Sequence, residues 1–338
     1  MKRTDYPMDL PLNANVDLVE QEGFYIFMYR DDFRYPEIPN DRKQLANVAM
    51  GPLMKHKRLQ PLNPQQWSRT WKLGEDAVSR LLAHFVQFVP DFRLVDVGCK
   101  YGVASLRWHR MLRAFGSSIP IHAFDCGAAG RLARYNFVNN HADIDFQPWA
   151  VGDWDGYGLV FSEPGHPENN RIVNQLHDPW STVSRTVRLD TFLSDKRGAL
   201  VLSVDTQGAE PEVIAGFSRD RLMAGFIEFT PHAIMNRVDP VAWLCSFMQE
   251  HLVFEFSPYK PVIHEIDRNS AQAYVEHVTL RPANWTDVIL LPKALPQLDA
   301  IAAQFRSFEC GLGDPASHRY CASANTVAPP IGSEEYPS

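Results

Sequence analysis

The stretch from Arg93 to Trp108 constrains the fold more than any other part of this sequence. It opens with the apolar residues Leu94, Val95 and Val97, a largely β-branched set that is typical of a strand buried in a parallel sheet. Gly98 and Gly102 then bracket a predicted tight turn, and from Val103 onward apolar residues recur at helical spacing. A strand, a glycine loop and a helix in this order bring backbone N–H groups up to a ligand. We therefore expect a binding loop between the two glycines.

A second predicted strand, Ile119 to Phe124, ends in Asp125, 23 residues after Gly102. A carboxylate at the tip of the second strand can accept hydrogen bonds from both ribose hydroxyls of an adenosine-containing cofactor. The pyrophosphate-binding pattern Gly-x-Gly-x-x-Gly does not occur in the loop, which favours a cofactor without phosphates. S-adenosylmethionine fits that description.

Composition narrows the class of protein. The net charge of −7 gives no global basic surface that could hold a nucleic-acid backbone. No run approaches the ~18–20 apolar residues that cross a bilayer. Five scattered cysteines without Cys-x-x-Cys spacing fit a reducing compartment. We therefore expect a cytoplasmic protein with no membrane span and no nucleic-acid partner, in an undetermined oligomeric state.

Predicted strands and helices alternate along the chain, with a third strand at 144–151 and a later one, Leu200 to Val204, ending in Asp205. This alternation predicts an α/β fold with a Rossmann-like, doubly wound, mostly parallel sheet. We expect an N-terminal arm over residues 1–65, the α/β domain over 66–292, and a partly mobile C-terminal extension over 293–338. Ligands on such sheets bind at the carboxyl ends of the strands.

Five motifs occur in order along the chain: Val95 to Gly102, Ala123 to Asp125, Ala150 to Gly156, Val187 to Leu193 and Ser203 to Ile214. Together they resemble the FkbM family of class I S-adenosylmethionine-dependent methyltransferases. The Asp-Thr-Gln-Gly-Ala-Glu block in the last motif is the most specific part. The resemblance implies the class I methyltransferase fold and O-methylation of a sugar, glycan or polyketide hydroxyl.

With this resemblance, one set of residues is expected to bind the cofactor: Asp96, Gly98, Cys99, Gly102, Asp125, Cys126, Trp149 and Asp205. The glycines are assigned to the methionine end and Asp125 to the ribose. Cys126 would lie beside the adenine, and Trp149 would form an adenine wall or belong to the core. Asp96 would accept a hydrogen bond either from the cofactor ammonium or from a loop amide.

Methyl transfer to a hydroxyl requires alignment of the acceptor oxygen and removal of its proton. The candidate catalytic residues are Asp205, Glu228 and His232, which lie at or after strand ends. Asp205 could be the base or a cofactor ligand, and His232 has a suitable pKa for a base. Asp205 and Glu228 could instead share an oxygen-bound cation such as Mg²⁺, so metal use stays open. Glu210 is predicted to begin the next helix. There, an interaction with the helix N-terminus is as good an explanation for this residue as a role in the site.

The expected partner is a small-molecule or glycan hydroxyl acceptor, lying under a predicted loop at 163–170 with Arg171 and Trp180 nearby. A second hypothesis is a non-catalytic S-adenosylmethionine-binding or scaffold protein. A third, an NAD-type oxidoreductase, requires the glycine pattern that the first loop lacks.

Overall fold

The computed structural model describes residues 16–21, 23–29, 81–82, 84–89, 91–162, 170–173, 181–256, 263–280, 284–295 and 298–306. Three sequence predictions lie outside these residues: a short helix that we expect over 41–50, the loop at 163–170 except for Asn170, and a polar, Pro- and Ser-rich tail from Gly311. Trp180 lies outside them too, as does the first part, 67–80, of an amphipathic helix that the apolar spacing between Trp67 and Val89 predicts.

The described strands are β1 (Val16–Gln21), β2 (Phe24–Tyr29), β3 (Phe92–Val97), β4 (Ile121–Phe124), β5 (Asp145–Gln147), β6 (Ala150–Val151), β7 (Gly156–Ser162), β8 (Asn170–Val173), β9 (Ser181–Val187), β10 (Ala199–Val204), β11 (Leu222–Phe229), β12 (His251–Phe256), β13 (Ile263–Ile266) and β14 (Thr286–Pro292). The helices are α1 (Val103–Ala114), α2 (Ala128–Asn139), α3 (Leu189–Phe192), α4 (Glu210–Ala215), α5 (Pro231–Ile234), α6 (Pro240–Phe247), α7 (Ala271–Thr279) and α8 (Leu298–Arg306). Residues 84–88 are also helical.

The central sheet has eight strands in the order β13-β12-β14-β11-β10-β3-β4-β5. Strands β5, β4, β3, β10 and β11 are parallel neighbours, whereas β14 runs antiparallel between β11 and β12. The chain runs outward from β3 through β4 to β5 and later returns to β10 on the other side of β3. The predicted Rossmann-like, doubly wound, mostly parallel sheet is confirmed.

Apolar residues cover both faces of this sheet. On β3, Leu94 packs into one buried cluster, while Val95 and Val97 pack into the other. On β10, Val201 and Leu202 divide in the same way. Strands buried on both faces need continuous apolar runs rather than alternating ones, which explains why these segments were recognisable in the sequence.

The single third strand predicted at 144–151 is wrong. The structure has two short strands there, because Pro148 lies between them and has no N–H to donate to a ladder. β5 completes the central sheet, while β6 joins a second, four-stranded sheet in the order β6-β9-β7-β8. This smaller sheet is an insertion between β5 and β10, and α3 leads from it back to the main sheet.

The N-terminal strands β1 and β2 form an antiparallel hairpin that packs against α2. Four residues of β2 are buried beside the β3–α1 loop and α2: Phe24, Ile26, Phe27 and Met28. The domain boundaries after residues 65 and 292 stay predictions. Among the helices of the described chain, none combines the length and apolar character that crossing a bilayer demands.

Candidate functional site

Both glycines of the β3–α1 loop have left-handed backbones, with φ of +86° at Gly98 and +79° at Gly102. A Cβ on Gly98 would lie 1.8 Å from the backbone oxygen of Asp205, and one on Gly102 would lie 2.3 Å from the Phe137 ring. We expected glycine here so that a cofactor could approach. The structure gives a reason that needs no ligand: the loop is pressed between the end of β10 and helix α2.

Asp125 lies directly after β4 and closes this loop. Its Oδ2 accepts a hydrogen bond from the Lys100 backbone N–H at 2.8 Å, and its Oδ1 accepts one from the Gly127 N–H at 2.7 Å. Burial raises the pKa of Asp125 to about 6, and the two amide donors act against that rise. A carboxylate has about four lone-pair sites, so acceptor capacity remains for ribose hydroxyls. The ribose assignment stays a prediction.

Asp96 is buried near the end of β3. Its carboxylate accepts a hydrogen bond from Ser105 on α1 and also interacts with the Ser203 side chain on β10. Burial raises the pKa of Asp96 to about 6, against which the two serine hydrogen bonds act. These hydroxyls occupy the carboxylate in the structure, where the sequence suggested a loop amide or a cofactor ammonium.

Two cysteines and a tryptophan complete the expected cofactor set. Cys99 is buried in the apolar cluster that contains the β2 side chains, and burial raises the pKa of its thiol well above the ordinary range. Burial likewise raises the pKa of Cys126 to about 12. The Arg185 guanidinium lies 3.9 Å from the centre of the Trp149 ring, and Phe192 contacts it edge-on. One face of Trp149 is therefore covered by Arg185 rather than open to an adenine.

The strongest convergence of candidate residues occurs after β10 and at the end of β11. The Gln207 Nε2 atom donates to Asp205 Oδ1 at 2.9 Å and lies 3.4 Å from Glu228 Oε1. Glu228 is 8% exposed, and its Oε2 has no hydrogen-bond partner within the described part of the chain. Gln207 thus bridges two carboxyl groups that come from different strands.

Charge and burial together set the protonation of this group. Burial is the largest cause that raises the pKa of Glu228 well above its ordinary value, followed by the charges of Asp205, Glu210 and Asp287. Asp287 on β14 is the register partner of Glu228, and burial, with Asp205 and Glu255, raises its pKa to about 8. The protonated forms are therefore favoured, and neighbouring carboxyl groups can share protons.

Sequence reasoning missed Gln207, which belongs to the Asp-Thr-Gln-Gly-Ala-Glu block. Its backbone is left-handed, with φ of +55°, and this conformation directs the loop between β10 and α4. The available signal was its place in that block, directly after a buried strand that ends in a carboxylate. The amide itself gave no indication that it would reach Glu228, 21 residues away in sequence.

His232 lies apart from the bridged carboxylates in its contacts. It lies on the short helix α5 with its side chain partly exposed, and its ring hydrogen-bonds to the Asn284 backbone. Partial burial lowers the pKa of His232, and the Asn284 bond acts against this. The structure brings Asp205 and Glu228 together through Gln207, whereas His232 joins the loop before β14.

Metal ligation receives no support here. Across the described ranges, no three His, Cys, Asp or Glu side chains are arranged to hold a metal ion. The carboxyl groups of Asp205 and Glu228 instead meet through a neutral amide donor.

The loops after β3 and β10 touch where the chain changes direction in the sheet. Gly98 lies against the Asp205 backbone, and the Asp205 N–H donates to Val97 O at 2.9 Å. Doubly wound sheets bind ligands in the crevice outside such a switch point. The arrangement can supply backbone N–H groups and carboxyl groups that accept or share a proton.

Comparison with known proteins adds little to this geometry. No protein-family model matches the chain, and no curated protein matches it. One solved structure is similar: a candidate class I S-adenosylmethionine-dependent methyltransferase from Listeria monocytogenes, with a TM-score of 0.34 and 12% sequence identity over 80% of each chain. A likeness this distant supports no conclusion about function.

Proposed function

We propose that this protein is an S-adenosylmethionine-dependent O-methyltransferase that acts on a hydroxyl of a sugar, glycan or related natural product. One observation carries the proposal: the glycine loop and the Asp205 loop meet at the switch point of the sheet, with the bridged carboxyl pair beside them. Asp125, at the end of the neighbouring strand, supports the same placement of an adenosine-containing cofactor. The sugar or glycan class rests on the FkbM resemblance alone.

The donor set at the switch point fits S-adenosylmethionine. The cofactor would be held by the 98–102 loop and Asp125, and it supplies an electrophilic methyl group when bound. The remaining acceptor capacity of Asp125 suits the two ribose hydroxyls. Mg²⁺ is not part of the proposal, since the described carboxylates form no three-ligand group.

The proposed role of the carboxyl pair is to take the acceptor proton. Asp205 would accept the proton from the acceptor hydroxyl as the methyl–oxygen bond forms. Glu228 would then share that proton with Asp205. Gln207 would keep both carboxyl groups in place, because its single amide nitrogen reaches both. His232, on helix α5 beside Asn284, is the alternative base.

A non-catalytic binding or scaffold protein is the second candidate, and specific contacts favour it. Both glycines are explained by packing against Asp205 and Phe137, and Asp125 already accepts two backbone hydrogen bonds. A protein that had lost methyl transfer would keep these contacts, because they hold the loops together. The two candidates differ in cofactor affinity and turnover.

Calorimetric titration with S-adenosylhomocysteine, with and without Mg²⁺, tests the proposal first. We expect micromolar binding that does not change with Mg²⁺. Asp125→Ala should weaken binding by more than about 1 kcal/mol, the contribution of a charge-assisted hydrogen bond. Asp220→Ala is the control. Asp220 is exposed just before β11, at the amino-terminal ends of the parallel strands, whereas the candidate site lies at their carboxyl ends.

The outcomes separate the candidates. Unchanged affinity in Asp125→Ala would remove the ribose assignment. No binding at millimolar ligand would favour the scaffold candidate, while binding of NADH instead would indicate an oxidoreductase. Transfer of a tritiated methyl group to a panel of glycan acceptors then distinguishes an enzyme from a protein that only binds the cofactor.

A further inference from the structure

Asn136 on helix α2 joins three parts of the chain that are far apart in sequence. Its Oδ1 accepts the Phe27 backbone N–H at 2.7 Å, and its Nδ2 donates to Phe27 O at 3.3 Å. The same Nδ2 donates to Tyr101 O, inside the glycine loop, at 2.9 Å. Asn136 is fully buried. A buried amide with every group engaged fixes its partners strongly, because any lost bond leaves an unsatisfied polar atom.

The surroundings of Asn136 tie the hairpin to the loop more widely. Cys99 and Tyr101 of the loop lie in one buried apolar cluster with Phe24 and Met28 of β2. Phe137, the next residue on α2, fills the space where a Gly102 side chain would lie. The glycine loop is thus held from one side by the N-terminal hairpin and α2 together.

We propose that Asn136 is a positioning residue, through which the β1–β2 hairpin holds the glycine loop in its ligand-binding shape. This inference rests on the proposed function, because it assigns the loop to cofactor binding. The hairpin precedes the α/β domain in sequence and contributes a structural wall to its site. Loss of the Asn136 side chain loosens the hairpin and the loop together, since this one side chain makes the hydrogen bonds to both.

A matched control lies one turn further on, at Asn140, the residue that caps the C-terminus of α2. Asn140 binds the same strand, accepting from the Tyr25 N–H at 3.1 Å and donating to Tyr25 O at 2.9 Å. The Asn140 amide also donates to the Asn136 backbone oxygen, and none of these bonds reaches the glycine loop. Asn140→Ala therefore loosens the hairpin without removing a loop contact.

The test compares S-adenosylhomocysteine affinity in the full-length Asn136→Ala and Asn140→Ala variants. We expect Asn136→Ala to weaken binding by about tenfold or more, because the variant loses the Asn136 hydrogen bond to the loop, at Tyr101 O, and the loss of a donor to a buried acceptor is costly. Asn140→Ala should stay within about threefold of the parent protein. Equal losses in the two variants would overturn the proposal, since hairpin loosening alone would then explain them.

Native-state hydrogen exchange on the parent protein without ligand decides the coupling even if Asn136→Ala does not fold. The amides of Phe27 and Gly102 should open with the same free energy, as members of one cooperative unit. The proposal would be overturned if the loop amides opened with a free energy well below that of the Phe27 amide. If the parent protein binds no S-adenosylhomocysteine, the proposed function fails, while the exchange result still decides whether hairpin and loop are one unit.

Discussion

At the scale of single residues, Gly98 lies against the Asp205 backbone, where the two loops of the candidate site touch. Gly98→Ala should be strongly destabilising, because the new Cβ would meet the Asp205 backbone oxygen in addition to the strain of a left-handed alanine. Gly116→Ala is the matched control: its φ is +69°, and nothing lies within 4 Å of the added Cβ.

The two alanine variants separate backbone strain from steric contact. Gly116→Ala should lower the free energy of unfolding by about 1–2 kcal/mol, the cost of a left-handed L-residue. Gly98→Ala should lose at least about 2 kcal/mol more through overpacking. Urea unfolding of both variants measures the difference. Equal losses would mean that the loops after β3 and β10 separate easily.

At the scale of elements, helix α4 is joined to the loop before it by Glu210. The Glu210 Oε1 atom accepts from the Thr206 N–H, the Thr206 hydroxyl and the Gly208 N–H, at 3.0, 2.9 and 3.1 Å. Burial raises the pKa of Glu210, and these donors act against that rise. Its contacts are therefore specific hydrogen bonds to the loop that carries Gln207, beyond any interaction with the helix N-terminus.

Two substitutions at Glu210 test this. Glu210→Gln keeps an acceptor oxygen and should stay within about 1.5 kcal/mol of the parent protein. Glu210→Ala removes the acceptor and leaves a cavity, so it should cost about 2–4 kcal/mol. Urea unfolding measures both losses. Similar losses of under about 1 kcal/mol in both variants would instead indicate a simple helix-dipole contribution.

At the scale of the whole molecule, buried carboxyl groups make stability depend on pH. The pKa values of five of them are raised, with burial as the largest cause: Asp96, Asp125, Glu210, Glu228 and Asp287. The folded state then holds more protons than the unfolded state above about pH 4, so these groups lower the free energy of unfolding as the pH rises. Four histidines act in the opposite direction, because burial lowers their pKa and they raise the free energy of unfolding as the pH rises to about 6.5. These are His109, His122, His232 and His251.

Glu228→Gln isolates one contribution from this sum. Gln resembles the protonated side chain, so the variant should lose less stability than the parent protein between pH 5 and pH 8, by more than about 1 kcal/mol. Urea unfolding across that range gives the two curves, with the exposed Asp220→Asn variant as the control. Parallel curves for the parent protein and Glu228→Gln would show that Glu228 has the same pKa folded and unfolded.

The sequence by itself determined that strands and helices alternate along the chain and that the main strands form a mostly parallel sheet. Runs such as Leu94 to Val97 and Leu200 to Val204 are apolar because both faces of a parallel sheet are buried, and that requirement is visible locally. The glycine loop and the carboxylates at strand ends were visible for the same reason. Pro148 was visible too, but the prediction of one strand there overlooked that it would divide the chain between two sheets.

Only the tertiary structure decided what those residues touch. In the structure the two glycines pack against Asp205 and Phe137, and Asp125 accepts hydrogen bonds from two backbone N–H groups. It also joined Asp205 to Glu228 through Gln207 and the hairpin to the loop through Asn136. Local sequence patterns indicate whether a residue is buried. They carry no record of which distant group meets it, because the sheet order and the packing of the whole chain set that.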